Sequence, residues 1–356
     1  MNTHDVPMIL FTVVTQMCVG AFLVLGTAHV GAAIRGRENS VVERTSRPVL
    51  YAIGPAMVFG LFVSMFHMGY PAHTLNVLRH PQTSWLSREI MFGSGFALLG
   101  FVFAMLSWFK RPAFAIQRVL AVVTAIVGIG LLVCESMIYY SLVTVPAWHS
   151  WWVPFSFTAT TIILGTLSVA CALMITAMVR HRHETAVPSA REKHPKTTGW
   201  WSRHVTEEIR AINAPTDDQE WDLSLTVTKW CSIGAAVVSV ALMVGYPLYT
   251  SQLASGGPVA HQASNTFSGG IYATRLILLG AIALMLGSFV YRGALHTPRE
   301  HPHSLGWLLI TTLNYYFRGR DRRTSAALLE SGANRHMNAN QLRPLLQMIA
   351  SSSASP

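Results

Sequence analysis

Charge is what this chain has least of. Aspartate, glutamate, lysine and arginine make up 12% of its 356 residues, about half the roughly 25% of an average soluble domain. A surface so poor in charge does not hold a protein of this size in water, so the net charge of +10 is not read as the footprint of a nucleic-acid-binding protein. Cysteine is scarce too. Cys18, Cys134, Cys171 and Cys231 stand singly in apolar runs, with no Cys-x-x-Cys pair. That excludes a thiolate zinc site or an iron–sulfur cluster built by this chain alone and argues against a disulfide framework. No Gly-x-x-x-x-Gly-Lys-Ser/Thr loop occurs, so nothing points to nucleotide hydrolysis. Histidine is rare inside the apolar runs, where only His29 and His67 occur, toward opposite ends. A haem b held between helices needs two axial histidines at matching depth, so no haem is expected.

What the chain does have is apolar sequence in long stretches, 51% of it hydrophobic. A helix crossing the hydrocarbon core takes about 20 mostly apolar residues. Seven segments reach that length: 7–34, 50–68, 90–109, 117–140, 152–179, 227–249 and 271–291. The first is too long for the core of a signal peptide, and Asp5 rather than a basic residue precedes it, so it is read as a true span. An eighth candidate, 305–317, would be only about 20 Å long as a helix and is followed at once by Arg318, Arg320, Arg322 and Arg323; it crosses only where the bilayer is thin. The fold class is therefore all-α, a polytopic bundle of seven spans with a doubtful eighth.

Orientation follows from the connections. Arg35, Arg37, Arg44 and Arg47, then Lys110, Arg111 and Arg118, then seven basic residues over 180–210, then Arg292 and Arg299 all fall on one side. The other side holds only Arg79 and Arg88, which makes sixteen against two. By the positive-inside rule the first side is cytoplasmic and the N-terminus periplasmic. Four regions result: a first bundle half over 1–180, a polar cytoplasmic insert over 181–226, a second membrane half over 227–317, and a basic tail over 318–356 without expected order.

Ionisable groups in or beside spans are expensive, and they draw attention to function. His29 reads as an interfacial histidine. Glu135 lies about a turn from the outer end of its span, where it either pairs with Arg275 or hydrogen-bonds locally. Arg275 lies near the outer start of its own span, where snorkelling suffices. His67 and Glu89 are more informative, because the end of span two and the start of span three bring them to one membrane face across an outer loop. Imidazole and carboxylate side by side can hold a hydroxyl group and accept its proton near neutral pH.

These residues sit in motifs that resemble a known family. Pro7-Met-Ile-Leu-Phe-Thr-Val-Val-Thr-Gln16, Phe66-His67-Met-Gly69-Tyr70-Pro71 with Asn76 downstream, Leu86-Ser87-Arg88-Glu89-Ile90, Thr144-Val-Pro146-Ala-Trp148 and, more loosely, Thr274-Arg275-Leu276 together look like the membrane-anchor subunit of bacterial dimethyl sulfoxide reductase. The resemblance implies an eight-helix anchor without haem or cluster in the bacterial inner membrane. Such an anchor oxidises menaquinol and passes electrons to a ferredoxin-like subunit with four [4Fe–4S] clusters, which feeds a molybdopterin catalytic subunit. It implies His67 and Glu89 as the catalytic pair, with Phe66, Gly69, Tyr70, Pro71, Ser87, Arg88 and Arg275 around the quinol. Two features depart from the family: the insert over 181–225 and the end of the sequence. Two rivals are a polysulfide-reductase type of quinone-site anchor and, in a different class, a secondary transporter. The latter fits less well, since transporters carry polar groups at mid-membrane.

Overall fold

The computed structural model describes residues 6–67, 76, 79–109, 114–185, 199–214 and 216–296. The eighth candidate at 305–317 and the tail from 318 lie outside these residues. Nine α-helices occur among them, and no strand: α1 Val6–Ile34, α2 Asn39–Ser64, α3 Trp85–Trp108, α4 Phe114–Tyr140, α5 Trp152–Thr185, α6 Trp200–Ile212, α7 Asp218–Ala254, α8 Pro258–Phe267 and α9 Gly270–His296. A 3₁₀ turn, Met65–His67, extends α2.

Six helices, α1 to α5 and α7, are long and apolar enough to cross a membrane. The expected seven spans are reached only if α8 and α9, bent by 56° at the break between them, act as one broken span. Span lengths also differ from the apolar runs. α2 starts eleven residues before the expected 50 and takes Glu43, Arg44 and Arg47 into its first turns. α7 has 37 residues, about 55 Å at 1.5 Å per residue, far more than the roughly 30 Å of hydrocarbon. Its first two turns are the polar end of what the sequence presents as an insert. Asp217 caps it, accepting from the Asp218 N–H at 2.8 Å. The described part of the 181–226 stretch is thus mostly helical, because the acids of α6 and of the start of α7 meet arginines.

The core lies where α1 is wrapped by α2, α3, α4 and α5. Cys18, Val19, Phe22 and Leu25 of α1 pack with Val49 and Ile53 of α2, Phe96 and Phe103 of α3, Leu131 of α4 and Val169 of α5. Lipid tails are as apolar as leucine, so close backbone approach matters more than hydrophobicity here. Gly20 and Gly165 let α1 and α5 nearly touch, since a Cβ on Gly165 would stand 2.2 Å from the Gly20 carbonyl carbon. From α5 the bundle continues through α7 to α9, each packed on the next.

Among the described residues, Arg37, Arg44, Arg47 and Arg180 gather at one end of this bundle, and α2, α6 and α7 supply their acids. Arg37 pairs with Asp222 at 2.5 Å. Arg47 pairs with Glu43 at 2.5 Å and with Glu208 at 3.2 Å, and Tyr51 donates to Glu208 at 3.0 Å. Arg44 and Arg180 both pair with the buried Glu220. His29, expected as an interfacial group, is buried beside Ser46 Oγ at 3.2 Å. This is the basic end; the other is called the distal end.

Candidate functional site

The distal end is built from the finish of α2 and the start of α3. Phe62 and Phe66 meet edge to face with ring centroids 5.2 Å apart, and Phe66 remains exposed to the surroundings of the bundle. Residues 79–84 lead into α3, with Ser84 Oγ accepting from the Ser87 N–H at 3.3 Å. That N-cap fixes the register of the next turn, in which Ser87 is buried and Arg88 and Glu89 are half-buried.

Arg88 is used locally. Its Nε donates to Pro81 O at 2.8 Å and its Nη2 to Gln82 O at 2.6 Å, while the guanidinium lies 4.2 Å from the centre of the Trp85 ring. The fork ties the incoming turn to the helix, as planar guanidinium groups do well. It directs none of these donors at Glu89.

Glu89 lies within electrostatic range of Cys134, Glu135 and Tyr139 on α4. The two helices run antiparallel and interlock through glycines. A Cβ on Gly93 would stand 3.6 Å from Leu131 Cδ1, and one on Gly128 would stand 3.1 Å from the Phe96 ring. One turn distal to the Gly93–Leu131 contact, these helices carry Glu89 and Glu135. The two carboxylates act on each other electrostatically, and Tyr139 feels both. Glu135 is 3% exposed, and its Oε1 has no hydrogen-bond partner among the described residues.

The other expected residues divide. His67 closes the 3₁₀ turn, but its side chain, like Gly69, Tyr70 and Pro71, lies outside the described residues. Arg275 is not brought to Glu89. It donates from Nη1 to Tyr246 Oη at 2.9 Å and lies over that ring at 5.4 Å, in an aromatic cluster with Trp152, Tyr249 and Tyr272. α9 leans on α7 and α7 on α5, whereas α3 leans on α4. Among the described residues no ion pair joins Glu135 to Arg275, whose guanidinium is engaged with Tyr246. The neighbour that sequence reasoning missed is Glu89. In the helices each acid lies about a turn from the distal end, an equality the apolar runs hid because α3 begins five residues before its run.

Residues 1–194 match the model of the DMSO reductase anchor subunit (DmsC) family. The chain belongs to that family. The matched stretch holds His67, Glu89 and Glu135, and it ends before α6. Among curated relatives, a polypeptide of the anaerobic dimethyl sulfoxide reductase of Escherichia coli is 30% identical over 164 residues, 46% of this chain and 56% of the relative. Its namesake from Haemophilus influenzae is 29% identical over 192 residues, 53% and 66% of the two lengths. A polypeptide named for the sulfite dehydrogenase of Allochromatium vinosum is 30% identical over 115 residues, 28% and 35% of the two lengths. The chain thus spans between half and two thirds of the reductase relatives. No solved structure matches.

Proposed function

We propose that this chain is a multi-pass anchor that oxidises menaquinol at the periplasmic face of the bacterial inner membrane. It passes the electrons to a four-cluster ferredoxin-like subunit, and that subunit supplies a molybdopterin catalytic subunit of the dimethyl sulfoxide reductase type. The anchor itself holds neither haem nor cluster in this reading. The quinol ring lies among Phe66, Gly69, Tyr70, Pro71 and the first turn of α3 with Ser87. His67 holds one hydroxyl group and Glu89 takes its proton. Arg88 contributes by fixing the turn that carries Glu89. The periplasmic placement rests on the sixteen-to-two distribution of loop charge, with α1 starting and α3 opening at the distal end.

The observation that carries the reading is Glu89 itself. It is a half-buried carboxylate at the end of a membrane helix, inside the segment matched by the anchor family, and its neighbouring arginine is committed to backbone carbonyls. The likeness to a polypeptide named for sulfite dehydrogenase favours a second reading, in which the same site reduces quinone with electrons from the partner. The test is oxidation of a menaquinol analogue by the complete complex, with an artificial donor to the partner subunits as control. His67→Ala and Glu89→Gln should each lower quinol oxidation about 10²–10⁴-fold and spare the artificial-donor reaction. Parental quinol oxidation in both variants refutes the site. Quinone reduction outrunning quinol oxidation at equal driving force selects the second reading.

A further inference from the structure

At the basic end a groove opens between α1 and α7 and encloses about 510 Å³. Small residues make room for it: Ala28, Gly31 and Ala32 line it from α1, and Leu223, Val227 and Trp230 from α7. A Cβ on Gly31 would meet nothing within 4 Å. Trp230 remains 61% exposed, so the groove is open to what surrounds the bundle. Three threonines also line it. Two of them are satisfied within their own helices, Thr27 donating to Val24 O at 2.9 Å and Thr166 to Ile162 O at 2.6 Å. The walls therefore behave as apolar.

The charged residues that line the groove, among the described residues, are Arg35 and Arg37, and Gly36 between them sets both. With φ at +64° it ends α1. Its N–H donates to Ala33 O at 3.2 Å and the Arg37 N–H to Ala32 O at 2.9 Å, the paired bonds of a glycine C-cap. Arg37 gives Nη2 to Asp222, which ties this turn to α7. Arg35 is exposed, and its side chain has no hydrogen bond or ion pair among the described residues. Two arginines thus stand against one acid at the mouth. From Arg35 to Val24, which lines the far end, α1 rises about 16 Å. That is close to half of the roughly 30 Å hydrocarbon core, the depth of one leaflet.

We propose that this groove holds an acyl chain of an anionic phospholipid from the leaflet at the basic end, with the headgroup phosphate on Arg35 and the remaining donors of Arg37. Charge complementarity decides the occupant. A guanidinium group meets a phosphate through two parallel hydrogen bonds, and basic pockets between membrane helices take acidic lipid headgroups. A neutral lipid or an isoprenoid chain would fill the walls and leave the arginines unused. The bound lipid bridges α1 and α7 beside the Arg37–Asp222 pair. The inference is independent of the quinol reading, whose residues lie at the other end of the bundle.

The test uses the full-length chain in mild detergent, titrated with phosphatidylglycerol or phosphatidylcholine carrying the same brominated acyl chains, and reads the quenching of tryptophan emission. Comparison with Trp230→Phe isolates the quenching that comes from the groove. Phosphatidylglycerol should quench that part saturably, and phosphatidylcholine should need about fivefold more lipid or beyond, the factor expected for one arginine at an anionic headgroup. Arg35→Gln should weaken phosphatidylglycerol about fivefold and leave phosphatidylcholine unchanged. Gly31→Phe, which fills the groove, should remove the Trp230-dependent quenching by both lipids; if that variant does not fold, Arg35→Gln decides alone. Equal quenching by the two lipids makes Trp230 a contact of bulk bilayer lipid and overturns the proposal. A preference for phosphatidylglycerol that survives Arg35→Gln puts the headgroup elsewhere and overturns it too. Absence of Trp230-dependent quenching in the parent means that the groove is otherwise filled, which also overturns it.

Discussion

Replacing Glu220 by Gln should destabilise the bundle more than any other single charge removal at its basic end. Glu220 and Arg180 are buried together, with side-chain exposures of 2% and 5%, and Arg44 reaches the same carboxylate at 3.3 Å. Removing one member of a buried pair costs about 3–5 kcal/mol, because the remaining charge is left without compensation. Arg180 retains Ile212 O at 2.6 Å through Nε, which holds the expected loss near the lower bound, about 3 kcal/mol. In thermal unfolding of the purified subunit in mild detergent, followed by tryptophan emission, that is a drop on the order of 5 °C. Trp221, buried next door, makes the signal partly local. Glu207→Gln is the control: its side chain is 66% exposed and 3.9 Å from His204, and such a surface pair contributes about 0–1 kcal/mol. The double variant Arg180→Met/Glu220→Gln should recover part of the loss, since it leaves one fewer unpaired charge. Equal unfolding temperatures for Glu220→Gln and Glu207→Gln would refute the buried-pair argument.

Two further outcomes are expected. A reporter active only in the cytoplasm should work when fused after residue 200 and be silent after residue 260; the reverse would overturn the orientation read from loop charge. Gly165→Ala should lower the unfolding temperature by the equivalent of about 1–3 kcal/mol, because its new carbon meets the α1 backbone at Gly20 and Ala21. Gly31→Ala, with nothing within 4 Å of the new carbon, should be neutral or stabilising.

The membrane helices were legible because hydrocarbon selects for one property, and apolar run length reports it directly. α1, α4 and α5 accordingly match their runs closely. What the runs could not convey is how far a helix continues into water. α7 reads as 227–249 by apolarity alone, yet it begins at Asp218, because Glu220 and Asp222 find arginines on α2, α5 and the α1–α2 turn. Those partners are up to 185 positions away in sequence. The seventh span was less legible for a related reason. The break between α8 and α9 depends on tertiary contacts of Tyr246, whose hydroxyl donates to Phe267 O at 3.0 Å and accepts from Arg275.

The two ends of the bundle treat charge differently, and the contrast bears on where chemistry can occur. At the basic end the acids Glu43, Glu208, Glu220 and Asp222 each meet an arginine, so charge there is neutralised and serves as a clasp between helices. At the distal end Glu89 and Glu135 lie a turn beyond the same α3–α4 packing layer and within electrostatic range of each other, while Arg88 donates to carbonyls and Arg275 to Tyr246. Two carboxyl groups close together in an apolar bundle do not both stay ionised without a counter-charge, so at least one of them carries a proton. A sequence scan scores both ends simply as acids near helix termini. Only tertiary pairing separates them: the acids of the basic end meet arginines, whereas Glu89 and Glu135 are electrostatic neighbours of each other across α3 and α4.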